Sequence, residues 1–278
     1  MAGINTLKTL NRFRKNIENW KSAIIAVYLK KFSPFEVHFK DGTKIPVKYL
    51  NHLWMASYGF KFEYGDDESI IFPYKGRTIR FMGTGDNGSI CDVFVEEELG
   101  VLDVKGRVVI DIGANIGDSA VYFVIMGAEK IISIEPFPFT FENLKRNIAI
   151  NGVQDKVKIL NCAMGGKTGI MKVSPIVRNT VGLRATDSSA GTQIDIITFG
   201  TLIKDYNLNN VILKCDCEGC EYDLFNNMSS YDFNKVDEVL IEYHNGLNSL
   251  GEILEKNGYI TKIVKKTKNM GLLIGKKK

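Results

Sequence analysis

The sequence is short of several things. It has five cysteines among 278 residues, too few for a disulfide scaffold. It has no run of 18 apolar residues, so no membrane-spanning helix is expected. Residues 1–10 are polar and lack the apolar stretch and cleavage site of a secretory signal, so the expectation is a cytoplasmic protein. Acids are scarce at both ends. Residues 1–32 carry seven Lys or Arg against the single acid Glu18, and residues 261–278 carry seven Lys and no acid. Against an overall net charge of +4, the middle is therefore acidic. Basic ends of this kind are first of all solvated faces. The sharper alternative is peripheral contact with an anionic lipid surface or nucleic acid. What is present, 45% hydrophobic residues, is ordinary globular composition.

Residues 4–32 repeat Leu7, Leu10, Phe13, Ile17, Trp20, Ile24 and Tyr28 at helical spacing, with Lys8, Arg12, Lys15 and Lys30 opposite. Packing on the body is the default for such a stripe. A homodimer contact or a membrane surface are its other uses. Residues 35–100 read as a small α+β extension. "FEVHFKDGTKIPV" alternates around an Asp-Gly turn, and "SIIFPYKGRTIRFMG" turns at Lys75-Gly76. "KYLNHLWMASYGF" between them reads as a short helix, "GDNGS" as a loop, and "CDVFVEEELGVL" as a helix leading onward.

From residue 101 the rhythm becomes strand, helix, strand. "RVVIDIG", "KIISIEP", "KVKILNCAM", "NVILKCDCEG" and "DEVLIEYH" read as five strands with helices after most of them. Residues 166–197 read as an extra hairpin. "YITKIVKK" and "MGLLIGKK" close the chain across a short polar turn, which forces antiparallel pairing. The expectation is an α/β domain over 101–278, with a mostly parallel sheet and an antiparallel C-terminal hairpin, preceded by the 1–100 extension.

In "VVIDIGANIGD", residues 108–118, a strand enters a glycine turn and a helix follows. Ligands of open α/β sheets sit beyond the carboxyl ends of the strands, at the switch point. That places Asp111, Gly113, Asn115, Gly117 and Asp118 at the crevice. The dinucleotide fingerprint needs a middle glycine, and Asn115 stands in its place. A carboxylate at Asp111 would repel a pyrophosphate and suit an ammonium. Gly113 would let the backbone approach a ligand closely. Glu135 ends the second strand, 18 residues after Gly117, where it would accept both ribose hydroxyls. Pro136 and Phe137 follow as further cofactor-binding candidates, Phe137 where it would flank an adenine, and backbone groups of Asn161, Cys162 and Ala163 would meet the adenine edge. The ligand so described is a phosphate-free nucleoside with a positive head, which fits S-adenosylmethionine and not NAD.

These blocks, with "ISIEPFPFTFENLKRNIAING" and "LKCDCEGCEYDLF", resemble the FkbM family of S-adenosylmethionine-dependent methyltransferases. The second of them matches that family's pattern through Lys214, Asp216, Glu218, Gly219 and Glu221, and "LIEYH" adds Glu242 and His244. The resemblance covers about residues 90–278. It implies a Rossmann-like class I methyltransferase fold and methyl transfer to a hydroxyl, often on a sugar or polyketide-type product. The acceptor partner is then a small molecule or glycan.

The departure from the family pattern is Cys215, Cys217 and Cys220. Strand alternation sends Cys215 and Cys217 to one face as small buried residues, and paired C-x-x-C units are absent, so no metal site is expected there. Methyl transfer needs a group to take the acceptor's proton. Asp216, Glu218 and His244 are the catalytic candidates. Glu242 stands beside them, and His244 is favoured because its ordinary pKa is near neutrality. No motif demands a divalent cation, although Asp216 with Glu242 would hold one. Glu221 reads as an acid stabilising a helix start. Three alternatives stand: a tRNA methyltransferase, a scaffold that keeps the fold without catalysis, and a dehydrogenase. Nucleic acid is disfavoured because the acids of "KCDCEGCE" suit a polyhydroxyl better than a phosphate backbone.

Overall fold

The computed structural model describes residues 6–28, 34–85, 88–173 and 191–278. Lys30 and the other outer residues of the first expected helix lie outside these, as do residues 86–87 of the loop and 174–190 of the extra hairpin. The chain forms two compact units, Met1–Glu98 and Leu99–Lys278.

In the first unit the long helix expected over 4–32 is two helices, α1 (Thr6–Asn16) and α2 (Trp20–Tyr28). The break has a tertiary cause. Residues 17–19 bind the hairpin of β1 (Phe35–His38) and β2 (Lys44–Val47). Glu18 N–H donates to the His38 carbonyl at 2.7 Å, and the Asn19 side chain bonds both His38 N–H and the Glu36 carbonyl. The helix stripe itself is used, since Phe13 and Ile17 are fully buried. Helix α3 (Leu50–Ser57) follows, then an antiparallel sheet of β3 (Glu63–Tyr64), β4 (Ile70–Tyr74) and β5 (Arg77–Phe81). Its second turn has Lys75 and Gly76 both at positive φ, the backbone that a two-residue hairpin of matching twist requires. The helix expected at 91–102 is instead a wide π-type turn, Cys91–Val95, and a 3-10 turn, Glu98–Val101.

The second unit runs β6 (Val108–Ile112), α4 (Asp118–Ile125), β7 (Lys130–Ile134), α5 (Pro138–Ile150), β8 (Val157–Leu160), β9 (Ala163–Met164), β10 (Gly169–Val173) and β11 (Thr192–Ile197). It continues with α6 (Phe199–Asp205), β12 (Val211–Cys215), α7 (Glu221–Asn227), α8 (Ser230–Phe233), β13 (Val236–Tyr243), α9 (Leu250–Lys256), β14 (Tyr259–Lys266) and β15 (Gly271–Lys277). Seven strands make the main sheet in the order β14-β15-β13-β12-β6-β7-β8. The five from β13 to β8 are parallel; β15 adds antiparallel to β13, and β14 antiparallel to β15, so that only β15 runs against the rest. The third expected strand splits: β8 joins the main sheet, while β9 pairs with β11 in a small sheet that also holds β10.

Strand β12 is buried along its whole length and lies between β13 and β6; its Val211, Ile212, Leu213 and Cys215 suit a central strand, and Lys214 is the one charge among them. The order reverses between β6 and β12, so the switch-point crevice opens where those two strands end. Among the described residues, no helix is long and apolar enough to cross a membrane.

Candidate active site

The Gly113 turn is shaped by the neighbouring strand. Gly113 has φ +75, and a Cβ on it would lie 1.7 Å from the Asp216 carbonyl oxygen. Asp216 N–H donates to the Ile112 carbonyl at 3.0 Å, which draws the end of β12 across the glycine. A close approach that needs a glycine here is made by the Asp216 backbone. Asn115 at φ +49 and Gly117 at φ +89 complete the turn, and Gly117 starts α4. Asp118 is buried in the first turn of that helix.

Asp111 is 0% exposed, and its cation comes from the chain itself. Register pairs Lys214 of β12 with Asp111 of β6. Lys214 Nζ stands 3.1 Å from Asp111 Oδ1 and donates to the Gly113 carbonyl at 2.8 Å. Ser119 Oγ donates to Asp111 Oδ2 at 2.6 Å. Burial works against the Lys214 charge, but Asp111, Asp216 and Asp118 outweigh it and raise the ammonium above its ordinary range. Asp111 is thus a buried anchor between two strands, with its charge already met by Lys214.

Glu135 follows the end of β7 and is 4% exposed. Its Oε2 accepts from Asn115 N–H and its Oε1 from Phe137 N–H, each at 3.0 Å. Burial raises its carboxyl to about 8, against the two N–H donors and Lys214. A carboxylate has about four acceptor positions, so a ligand bringing two hydroxyl donors would meet an acceptor that still has capacity. This end fits the ribose of a nucleoside. Pro136 and Phe137 are half-buried beside it, and Phe137 packs on Ala163, Val173 and Ile194. Asn161 ties the segment together by donating to the Glu135 carbonyl at 2.8 Å. Cys162 and Ala163 are both buried, Cys162 in the main core.

Beyond β12 the chain turns through Glu218 at φ +56 and Gly219 at φ +124. Cys217 and Cys220 form a disulfide across this turn, with the Cys215 sulfur 3.8 Å from that of Cys217. Cys215 is the small buried residue expected, whereas the other two are a half-buried cystine. Disulfides persist in oxidising compartments and are transient in the cytosol, which ties the state of this turn to its surroundings.

His244, just past β13, brings the acids together. Its Nδ1 lies 2.6 Å from Glu221 Oε1, and its Nε2 lies 3.3 Å from Glu218 Oε2 and 3.8 Å from Asp216 Oδ1. Glu221 is 0% exposed. Its role as the partner of His244 is hidden in a local reading, which sees only an acid in the first turn of α7. Burial disfavours the imidazolium, but the Glu221 hydrogen bond and the three carboxylates prevail and raise His244 to about 9. These surroundings favour its charged form. Asp216, Glu218 and His244 form one group, of which Glu242 is not part.

A parallel sheet with this strand order, a glycine turn after β6 and an acid after β7 is the Rossmann-like fold of class I, S-adenosylmethionine-dependent methyltransferases. Residues 111–261 match the methyltransferase FkbM domain, and the chain belongs to that family. Methyltransferase sdnD of Sordaria araneosa is 23% identical over 168 residues, which are 48% of this chain and 65% of that protein. The ribosomal protein L11 methyltransferase of Carboxydothermus hydrogenoformans is 30% identical over 79 residues, 28% of this chain and 26% of that protein. The chain thus spans less than two thirds of the length of these curated relatives. Among solved structures, M. capricolum TrmK in complex with S-adenosyl-homocysteine is 10% identical, with a TM-score of 0.45, covering 66% of this chain and 68% of its own. A ribosomal protein L11 methylase from Lactobacillus delbrueckii subsp. bulgaricus is 13% identical, with a TM-score of 0.43, covering 69% and 80%.

Proposed function

We propose that the protein is an S-adenosylmethionine-dependent O-methyltransferase acting on a hydroxyl of a sugar, glycolipid or other natural product. The observation that supports this best is the gathering of Asp216, Glu218 and His244 beside the Gly113 turn, with ligand atoms within 4.8 Å of one another. The cofactor, when bound, supplies a methyl group on a positively charged sulfur. Glu135, Asn115 and Phe137 hold its nucleoside end.

The chain's own residues prepare the acceptor. Asp216 takes the hydroxyl proton. Partial burial raises its carboxyl, against the pull of Lys214 and His244, and a raised carboxylate is the stronger base. Glu218 accepts from a neighbouring hydroxyl and so orients the acceptor. His244, as imidazolium, offsets the crowded carboxylates. An acidic rim of this kind favours polyhydroxyl acceptors and repels phosphate backbones.

The test is transfer of labelled methyl from the cofactor into fractionated cell extract, sorted into lipid, glycan, RNA and protein pools. Label in the glycan or lipid pool is expected. Label only in RNA or protein would overturn the hydroxyl reading. The scaffold alternative is tested by cofactor affinity, which Glu135→Ala should abolish.

A further inference from the structure

We propose that Asp216, Glu218 and His244 form a binding site for a divalent first-row metal ion, typified by Mn2+. The site is a different use of the three residues that the methyl-transfer reading above takes without a metal, and it does not rest on that reading, because metal occupancy is measured without cofactor or acceptor.

The three side chains reach one place from separate stretches of chain. Asp216 follows directly on β12, His244 directly on β13, and the two strands are parallel neighbours in the sheet. Glu218 is turned back toward them by its own left-handed backbone and that of Gly219. One ligand atom from each lies within 4.8 Å of the other two. Modest closing of the Glu218 and Asp216 side chains would set all three at about 2.1 Å from one ion.

Glu221 points the same way. It lies outside the three-residue group and is fully buried, with Oε1 on His244 Nδ1 at 2.6 Å. A carboxylate on one imidazole nitrogen fixes the ring and directs the other nitrogen outward, the arrangement found behind histidine ligands of metals. Here the outward nitrogen, Nε2, faces the Glu218 and Asp216 oxygens.

The surroundings are acidic. Asp216, Glu218 and Glu221 all approach His244, and Lys214 is 4.0 Å from Asp216 but only 3.1 Å from Asp111. Carboxylates gathered about one imidazole are the oxygen and nitrogen donors that a dication takes.

The ligand set selects the ion. Two carboxylates alone would suit Mg2+ or Ca2+, and the imidazole shifts preference toward Mn2+ and its neighbours in the series. The side chains of Asp216 and Glu218 are 34% and 24% exposed, so an ion has access. Three protein ligands also leave positions for water or an acceptor oxygen.

The test uses the full chain, stripped with chelator, dialysed and titrated with MnCl2 while free Mn2+ is followed by electron paramagnetic resonance. One ion per chain is expected, with affinity at least about tenfold lower in Glu218→Gln. Pulsed measurements should show modulation from an imidazole nitrogen, lost in His244→Gln. Absence of stoichiometric binding to the wild-type chain would overturn the site, whatever the variants do. So would Mn2+ binding that is unchanged in both variants, with circular dichroism confirming that they fold.

Discussion

Lys214 and Asp111 stand side by side in the middle of the sheet, 3.1 Å apart and almost wholly buried. They join β12 to β6 at the place where the crevice opens. Removing one member of a buried pair leaves the other charge without compensation, at a cost of about 3–5 kcal/mol. Lys214→Met should therefore lose stability of that order in urea unfolding. Asp111→Asn combined with Lys214→Met should recover much of the loss, because a neutral pair carries no uncompensated charge. If the double variant is no more stable than Lys214→Met, the ion pair is not what the single substitution breaks.

Much of this frame is legible in sequence because its signals are local. Strands β6, β7, β12 and β13 are rich in Val, Ile and Leu, and the turn between β14 and β15 is too short for anything but antiparallel pairing. The acid at 135 and the glycines at 113 and 117 also fall where the sequence places them. What stayed hidden depends on partners far along the chain. The break after Asn16 needs residues 36–38 to bind it. The Lys214–Asp111 pair needs the register between β12 and β6. Glu221 looks like a dipole acid until β13 brings His244 to it. The charge on His244 follows from that meeting, so no reading of the imidazole alone could give it.

Glu135 links stability to pH. Its folded carboxyl titrates near 8 against an ordinary 4.5, so between those values the folded state keeps a proton that the unfolded chain gives up. This group's contribution is therefore fully present below about 4.5, falls as pH rises, and levels off above about 8. The slope approaches 1.4 kcal/mol per pH unit where the difference is near one proton. Chemical unfolding at a series of pH values should show this slope in the wild-type chain and lose it in Glu135→Gln. Affinity for S-adenosylhomocysteine should also rise across the same range, since ribose hydroxyls donate to the ionised form. A flat difference between the two proteins would refute the assignment.

The Cys217–Cys220 bridge encloses only Glu218 and Gly219. On the chain-entropy view, so short a loop contributes about 2 kcal/mol. Dithiothreitol should lower the urea midpoint of the wild-type chain accordingly and speed amide exchange over residues 217–221. The double variant Cys217→Ser, Cys220→Ser should show no response to the reductant. A wild-type midpoint unmoved by reductant, with thiol titration proving reduction, would show that the bridge holds nothing in place.

Two glycines with similar backbone allow the contact at the crevice to be weighed by itself. Gly113 has φ +75 and Gly152 has φ +65, so alanine at either is strained by about 1–2 kcal/mol. They differ in surroundings. A Cβ at 152 meets nothing within 4 Å, while one at 113 would lie 1.7 Å from the Asp216 carbonyl oxygen. Backbone cannot swing aside as a flexible side chain does, so β6 and β12 must part, at a further cost of about 1–3 kcal/mol or more. Gly113→Ala should therefore be clearly less stable than Gly152→Ala, and it should also weaken the Asp216 N–H bond to the Ile112 carbonyl. Amide exchange at Asp216 reads that bond directly. Equal losses of stability in the two variants, with Asp216 still protected in Gly113→Ala, would mean that the end of β12 does not press on the turn.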